Sequence, residues 1–407
     1  MATTPLSKFL ELSSNHTILP SYNDIEDAYY RIRSYIHCTP LVSSPAFHNF
    51  LSSLSSSTPL DPSNTTTVSS STKLYPPPQI YLKLESEQVT GSFKARGAVN
   101  CITALTTALD HTITTSSSSS TSTPNPIPSI CTASTGNHAL AINYSLHTVP
   151  QAKKYNLIDT ARIYLPKTVA KAKLDALQAA HAPLYIIDTN DCIASELAAI
   201  EYSKSNASII YISPYNNYYV VMGQGTIGIE ILYQLSNISL FTNTLPVLPS
   251  RLTSPLVVLV PTGGGGMISG IACAIKAKYP YPQSIIIACQ PETNACMLES
   301  VIKKKILPEG EFTNGDTWSD GTAGGIEDLS CTYTACQDAL TTKNDIIQYL
   351  HSSKDLFYNN NKTNSSVVEQ DITHHRLVDG ILTCTEEEIE SSMLFMLSKH
   401  HKVSKLI

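Results

Sequence analysis

The sequence predicts an α/β fold with parallel-rich sheets flanked by helices. Short apolar segments with the composition of strands alternate along the chain with segments of helical spacing. This alternation is typical of parallel sheets, whose ligands gather at the carboxyl ends of the strands. The predicted strands cover residues 79–85, 129–134, 161–166, 183–188, 208–213, 256–261 and 284–291, and the predicted helices cover 98–109, 137–147, 168–180 and 267–278.

The composition excludes several classes of protein. The chain has 407 residues, 42% hydrophobic and 15% charged, which is enough for two packed domains. The net charge is -6 and no basic block occurs, so we expect no nucleic-acid partner. Apolar runs are too short to span a membrane, and residues 1–14 lack the apolar core of a signal peptide. Ten cysteines without zinc spacing indicate reduced thiols and a cytoplasmic location.

Three polar segments differ in composition from the rest of the chain. Residues 51–78 and 112–126 are rich in Ser, Thr and Pro, and residues 351–376 are rich in Asn and Ser. Segments of this kind bury too little apolar area to offset the entropy lost on ordering. We therefore expect all three to be disordered surface insertions.

Four consecutive glycines, Gly263–Gly266, separate a predicted strand from a predicted helix. Glycines let successive amides point into one concavity, and the start of the helix adds positive potential. No Lys-Ser/Thr pair follows, so this is not a Walker A loop. The run predicts a phosphate cradle; the alternative is a plain strand-to-helix turn.

A second glycine pattern has the spacing of a dinucleotide motif. Gly223, Gly225 and Gly228 match GxGxxG, and residues 218–222 could form the preceding strand. The motif also requires an acidic residue about 20 positions later for the ribose. No Asp or Glu occurs between Glu230 and Glu292, so we do not expect nicotinamide binding.

The segment "STGNHA" lies between a predicted strand and a predicted helix. Ser134, Thr135 and Asn137 place three polar side chains at the start of this helix, and Gly136 allows close approach of the backbone. Capping needs only one such residue. The segment therefore predicts a carboxylate site, with simple capping as the alternative.

Lys94 stands among small residues directly after a turn signal. Phe93 precedes it, and Ala95, Gly97 and Ala98 follow. A lysine in this setting, a phosphate cradle and a carboxylate site together indicate pyridoxal phosphate acting on an amino acid. Burial would lower the pKa of this lysine, so that it could act as nucleophile and proton carrier.

These motifs together resemble the fold-type II pyridoxal-phosphate enzymes. Within that family, the chain is similar to the branch of threonine/serine dehydratases and serine racemases. The matching segments follow the family's order and cover residues 36–44, 82–98, 133–139, 211–216, 223–232, 260–272 and 319–327.

The resemblance implies a site residue by residue. Lys94 is the expected Schiff-base lysine, and Phe93 is expected to pack on the cofactor ring. Asn137 is similar to the residue that bonds the ring hydroxyl, and Gly321 to the backbone beside the ring. The phosphate loop corresponds to Gly263, Gly264, Gly265, Gly266 and Met267, and the substrate-carboxylate loop to Ser134, Thr135, Gly136, Asn137 and His138.

The chain departs from the family in three respects. Serine racemases carry a second Ser at the position of Thr135, where its hydroxyl acts opposite the lysine; the extra methyl lowers the expectation of racemisation. Many relatives bind a divalent cation through carboxylates, but this chain has Gln290 and Cys296 or Met297 there, so we expect no metal site. Relatives also continue beyond Ile407 with a strand that brings a polar group to the pyridine nitrogen, so we expect a C-terminally truncated form.

The resemblance also implies the architecture and the function. We expect a large domain from residues 1–127 and 214–407, a small domain from residues 128–213, and the cofactor between them. The expected reaction is conversion of L-threonine or L-serine to a 2-oxo acid and ammonia, with Lys94 and Thr135 as catalytic residues. Alternatives are a serine racemase, a lyase for 3-hydroxyaspartate or of the hydroxyectoine type, or a truncated, inactive cofactor-binding protein. A completed fold would be a homodimer.

Overall fold

Two parallel sheets form the framework of the described part of the chain. The computed structural model describes residues 4–49, 78–116, 127–190, 192–237, 247–307, 311, 316–360 and 376–400. The first sheet has the order β5-β4-β3-β6, with β3 at Ser129–Ala133, β4 at Arg162–Pro166, β5 at Leu184–Ile187 and β6 at Ile209–Tyr211. The second has the order β7-β8-β9, with β7 at Leu256–Pro261, β8 at Ser284–Pro291 and β9 at Gly380–Cys384.

Helices connect these strands and cover the sheets. They are α1 Pro5–Ser14, α2 Tyr22–Ile32, α3 Lys94–Ser116, α4 Asn137–Thr148, α5 Pro150–Lys154, α6 Leu157–Thr160, α7 Lys171–Ala179, α8 Cys192–Lys204, α9 Tyr218–Leu235, α10 Gly266–Lys278, α11 Cys296–Ile302, α12 Cys331–Cys336, α13 Lys343–Asn360 and α14 Glu386–His400. In the described part of the chain, no helix combines the length and the apolar character that a membrane span requires.

The predicted α/β alternation is confirmed, and every strand pair in the two sheets is parallel. The four-stranded sheet takes all of its strands from residues 128–213. The predicted strand at 79–85 belongs to neither sheet. It is shortened to β2, Tyr81–Lys83, which pairs in antiparallel register with β1, Leu41–Ser43.

The GxGxxG pattern serves helix packing. Gly223, Gly225 and Gly228 all lie inside α9, and residues 218–222 form its first turns rather than a strand. A Cβ on Gly223 would lie 2.6 Å from the Cα of Gly97 in α3, and one on Gly225 would lie 2.9 Å from the carbonyl oxygen of Gly270 in α10. The glycines therefore allow α9 to contact two neighbouring helices backbone to backbone.

Parts of two predicted insertions are helical. Residues 112–116 complete α3 because Thr112 is buried and its hydroxyl accepts a 3.3 Å hydrogen bond from the amide of Leu6. Residues 351–360 complete α13 because Phe357 is fully buried and the guanidinium of Arg251 lies 5.0 Å from its ring centre. The prediction of disorder was wrong for these residues. Its remaining parts, residues 51–77, 117–126 and 361–375, lie outside the described residues.

A buried ion cluster fixes the start of α3. The guanidinium of Arg96, fully buried, donates to Glu85 at 2.8 Å and to Glu230 of α9 at 2.7 Å. Lys83 of β2 donates to the same Glu230 at 2.5 Å. Burial opposes the charge of Arg96, but the two carboxylates outweigh this and raise its pKa above the usual value. A strand and two helices are thus joined around one guanidinium.

The close contact between α3 and α9 predicts that one added methyl group at Gly223 lowers the stability of the fold substantially. In Gly223→Ala, the new Cβ would lie inside contact distance of the Arg96 and Gly97 backbones, which cannot move without disturbing the ion cluster. We expect a loss of about 2 kcal/mol or more in the free energy of unfolding, as for other overpacked cores. Urea unfolding followed by circular dichroism measures this, and a midpoint equal to that of the wild type would contradict the packing argument.

Candidate active site

A cavity lies where the loops after β6 and β7 meet the start of α3. It is lined by Phe93, Lys94, Tyr215, residues 261–268, Gly321 and Thr322. The structure therefore brings together the predicted lysine, the aromatic residue before it, the glycine run with Met267, and Gly321. These residues come from three distant parts of the chain and meet at the carboxyl end of β7, where the alternation of strands and helices predicts a ligand.

Lys94 is the first residue of α3, and its side chain reaches the loop after β6. Its ammonium nitrogen donates a 2.7 Å hydrogen bond to the carbonyl oxygen of Pro214 and lies 5.1 Å from the ring centre of Phe93. Burial without a carboxylate partner lowers the pKa of Lys94 to about 8. A substantial fraction of this lysine is therefore a neutral amine at slightly alkaline pH.

The glycine run turns the chain sharply from β7 into α10. Gly265 has a left-handed φ of 85°, which other residues rarely adopt. A Cβ on Gly264 would overlap with the ring of Tyr215, and one on Gly266 would lie 2.6 Å from the carbonyl oxygen of Tyr215. No side chain caps α10, and the first amides of a helix have no intrahelical acceptor. Bare amides at a helix start beside a partly buried amine fit a cofactor with a phosphate and an aldehyde.

Two lining residues were not among the predicted site residues. Tyr215 places its ring against Gly264, and the backbone of Thr322 lies against Gly263, where a Cβ would be 3.0 Å from its carbonyl oxygen. Both residues lie within segments that carry the resemblance, "YISPYN" and "SDGTAGGIE". The sequence did place Tyr215 shortly after a predicted strand, where ligands bind in parallel sheets. Only the fold shows that its ring faces the glycine run.

The loop that carries Gly321 is held from outside the cavity. Gly321 belongs to a single 3-10 turn, Asp320–Thr322. The Glu386 carboxylate, at the start of α14, accepts from the amide of Trp318 at 3.0 Å and from the Thr293 hydroxyl at 2.8 Å. This carboxylate joins the loop to the end of β8 and so fixes one wall of the cavity.

The predicted substrate loop lies at the carboxyl end of β3 and the start of α4. Ser134, Thr135, Gly136 and Asn137 are partly exposed there and are not among the residues that line the cavity around Lys94. No side chain caps α4, so the alternative of simple capping does not account for the three polar residues. The amides at this helix start can accept an anion.

His138 of the same loop is buried, with only 2% of its surface exposed. Its Nε2 lies 3.3 Å from the carbonyl oxygen of Ile212. Burial, and then the charge of nearby Lys94, lower the pKa of His138 to about 3. The imidazole is therefore neutral near pH 7 and cannot serve there as a proton donor in its charged form.

Gln290, at the position where many relatives have a metal-binding carboxylate, connects two walls of the site. It is buried, its side-chain amide donates to the carbonyl oxygen of Thr262 at 3.1 Å, and its oxygen accepts from the amide of Leu298 at 3.0 Å. Cys296 and Met297 are also buried. Gln290 therefore joins the residue before the glycine run to α11.

The chain matches known proteins over most of its length. The family described as "Pyridoxal-phosphate dependent enzyme" matches residues 56–350. A catabolic L-threonine dehydratase of Staphylococcus aureus (strain USA300) is 32% identical over 301 residues, which cover 74% of this chain and 66% of the relative. The match thus spans just under two thirds of that relative's own length.

Solved structures show the same fold. Maize serine racemase superimposes with a TM-score of 0.59 at 22% identity, over 95% of this chain and 83% of that one. A threonine deaminase from T.th. superimposes with a TM-score of 0.60 at 22% identity, over 94% of this chain and 88% of that one. At this identity the likeness concerns the fold alone.

The lowered pKa of Lys94 predicts its reactivity. In the folded, cofactor-free chain, the rate of Lys94 acetylation should increase with pH and reach half of its maximum near pH 8, because only the neutral amine reacts. The exposed Lys204 provides the internal reference for the labelling reaction. Competitive labelling followed by mass spectrometry gives both curves, and coincident curves would contradict the desolvation of Lys94.

The packing at Gly264 predicts that cofactor binding fails when a side chain is added. In Gly264→Val, the new atoms would occupy the place of the Tyr215 ring and close the cradle. We expect at least about a tenfold loss of pyridoxal phosphate affinity, because both the amides and the ring must shift. Equilibrium dialysis measures it. Gly380→Ala, whose Cβ would meet the Ile346 side chain at 2.8 Å and the Leu340 carbonyl oxygen at 3.5 Å away from the cavity, is the control and should bind as the wild type does.

Proposed function

Because the chain belongs to the family of pyridoxal-phosphate dependent enzymes, we propose that it is an ammonia-lyase for small β-hydroxy amino acids. The proposed reaction converts L-threonine to 2-oxobutanoate and ammonia, and L-serine to pyruvate and ammonia. The observation that carries the proposal is the partly buried amine of Lys94 beside an uncapped, glycine-lined helix start. The similarity to catabolic L-threonine dehydratases supports the choice of substrate.

The residues of the cavity would hold the cofactor by three kinds of contact. Lys94 would bind its aldehyde carbon covalently. The amides of Gly263–Gly266, with Met267, would bind its phosphate at the start of α10, and Phe93, Tyr215 and the Gly321 backbone would enclose its ring. When bound, pyridoxal phosphate draws electrons away from the Cα of an attached amino acid, which makes the Cα proton acidic.

Lys94 would move the proton. Its pKa of about 8 provides neutral amine near the working pH, so the nitrogen can accept the Cα proton of the substrate, and the β-hydroxyl takes up one proton as it leaves. The Pro214 carbonyl oxygen, 2.7 Å from this nitrogen, would hold the free amine of Lys94 in the cavity during the reaction. The β-hydroxyl leaves as water, and a water molecule then releases ammonia, so the overall reaction requires no oxidant.

The start of α4 would orient the substrate. The amides and side chains of Ser134 to Asn137 would bind the substrate carboxylate, and the Asn137 side chain would reach the cofactor ring. Thr135 would place its hydroxyl opposite Lys94. His138 would contribute only through its backbone, because its imidazole is buried and neutral. Binding of the carboxylate at this helix start would close the site over the reacting carbon.

Two further properties are part of the proposal. We place the reaction in the cytoplasm, which is supported by the ten cysteines, all of them free thiols. We also propose a homodimer, by resemblance to the family. Size-exclusion chromatography with light scattering distinguishes a dimer from a monomer.

The decisive experiment compares the wild-type chain with Lys94→Ala. The wild type should show a visible absorbance band when loaded with pyridoxal phosphate, and it should release 2-oxo acid from L-threonine or L-serine. Lys94→Ala should lose both, because the covalent contact and the proton carrier are the same group. Lys204→Ala, an exposed lysine at the end of α8, should retain both.

The same assays separate the alternatives. Formation of D-serine faster than pyruvate would favour a serine racemase, and turnover of 3-hydroxyaspartate alone would favour a lyase of that type. A visible band without any product would indicate a cofactor-binding protein without activity. A band that persists in Lys94→Ala would contradict the assignment of the lysine.

A further inference from the structure

We propose that Glu327 is a positioning residue of the candidate active site. Its carboxylate holds the turn formed by residues 213–216, and that turn carries Pro214 and Tyr215 to Lys94 and the glycine run. Glu327 lies 114 positions from Ser213 in the sequence. The inference rests on the proposed function, because it treats this cavity as the cofactor site.

The carboxylate closes the turn through two hydrogen bonds. Its Oε1 accepts from the Ser213 hydroxyl at 2.5 Å, and its Oε2 accepts from the Asn216 side-chain amide at 2.8 Å. The Ser213 oxygen in turn accepts from the amide of Asn216 at 2.9 Å and from that of Tyr215 at 3.4 Å. The single hydroxyl proton of Ser213 therefore goes to Glu327, while its lone pairs hold the backbone of the turn.

The two groups that donate to Glu327, the Ser213 hydroxyl and the Asn216 side-chain amide, are buried. Water therefore cannot replace the carboxylate as their acceptor. Ser213 is 1% exposed and Asn216 is fully buried, while the Glu327 side chain is 14% exposed. Asn216 has further partners, since its side-chain amide also donates to the carbonyl oxygen of Leu329 at 2.6 Å and its oxygen accepts from the amide of Cys331 at 3.1 Å. Loss of the carboxylate would leave the buried hydroxyl of Ser213 without its acceptor, which is unfavourable for a buried donor. The turn would rearrange to avoid that cost.

The turn contributes two walls of the cavity. The carbonyl oxygen of Pro214 accepts the 2.7 Å hydrogen bond from Lys94, and the ring of Tyr215 packs on Gly264. Both contacts depend on the backbone direction between Ser213 and Asn216. Glu327 acts on the cavity through this backbone, because its hydrogen bonds go to Ser213 and Asn216 at the two ends of the turn.

Glu196 supplies a matched control. It is a second carboxyl close to Glu327, and burial, and then the charge of Glu327, raise its pKa to about 7. It accepts a 2.9 Å hydrogen bond from the hydroxyl of Tyr211. Its hydrogen bond thus joins α8 to β6 and does not reach the turn. Glu196→Gln therefore changes a neighbouring carboxyl while it leaves the hold on Ser213 and Asn216 intact.

Glu327→Gln is the informative variant. The glutamine has the same shape, but only one of its two end atoms can accept a hydrogen bond, so one donor of the turn loses its partner. We expect about a tenfold loss of pyridoxal phosphate affinity, the scale of one hydrogen bond to a charged group. The quenching of Trp318, the one tryptophan of the chain, reports cofactor binding without any need for turnover.

A second readout is independent of the cofactor. In the cofactor-free chain, acetylation of Lys94 should be several-fold faster in Glu327→Gln than in the wild type, because the Pro214 carbonyl no longer holds the amine. Glu196→Gln should equal the wild type in both measurements. Equal cofactor affinity and equal Lys94 labelling in Glu327→Gln and the wild type would overturn the proposal.

The two readouts keep the proposals separate. If the wild type bound no cofactor, the proposed function would fail, and Lys94 labelling would still decide the role of Glu327. If Glu327→Gln did not fold, Ser213→Ala replaces it, since this variant removes the hydroxyl that links the carboxylate to the turn. Labelling of Lys94 at the wild-type rate in Ser213→Ala would equally overturn the role of Glu327.

Discussion

The arrangement of the site depends on one buried guanidinium. Arg96 is two residues after Lys94, and it is held between Glu85, which follows β2, and Glu230, which lies in α9. A charge at this depth is tolerated only when it is fully paired, so the three elements cannot separate without exposing an uncompensated ion. The position of the first turn of α3, and with it the direction of the lysine, follows from this pairing. The contact of Gly97 with α9 then sets how close the two helices lie.

The glycines of this chain meet two different physical needs. Gly265 requires the left-handed backbone with which β7 turns into α10. Gly264 and Gly266 are required because the Tyr215 ring and backbone occupy the space of a side chain. A phosphate cradle and a packing surface for an aromatic ring thus share one loop. The glycine run is therefore longer than an anion site or a turn would need alone, and its shape depends on the turn that Glu327 holds.

The sequence alone sufficed for features set by neighbouring residues. Strand and helix periodicity predicted the two parallel sheets, and Gly263–Gly266 were recognisable because the run stands between β7 and α10. Features that depend on contacts between distant residues could not be predicted from the sequence. The hydrogen bond from Ser213 to Glu327 spans 114 positions, and Tyr215 meets Gly264 across 49 positions, so no local pattern marks them. The helix over residues 351–360 was not predicted, because its polar composition hides the stabilisation that the buried Phe357 provides. The spacing of Gly223, Gly225 and Gly228 matches a dinucleotide motif, which the sequence already excluded for lack of an acidic partner, but only the structure shows that these glycines serve close helix packing.

In this site, anion recognition and proton transfer are assigned to different groups: backbone amides for the anions and a side chain for the proton. Both α4 and α10 begin directly after a strand, at or next to a glycine, and neither is capped by a side chain, so their first amides remain for a ligand's anionic groups. The ionisable side chains next to them are Lys94 and His138, whose pKa values burial lowers to about 8 and about 3. Because backbone amides do not titrate, binding of a phosphate and a carboxylate would not require either side chain to be charged. Lys94 is then free to exchange a proton with a carbon atom between the two helix starts, which is the task that the proposed reaction sets for it.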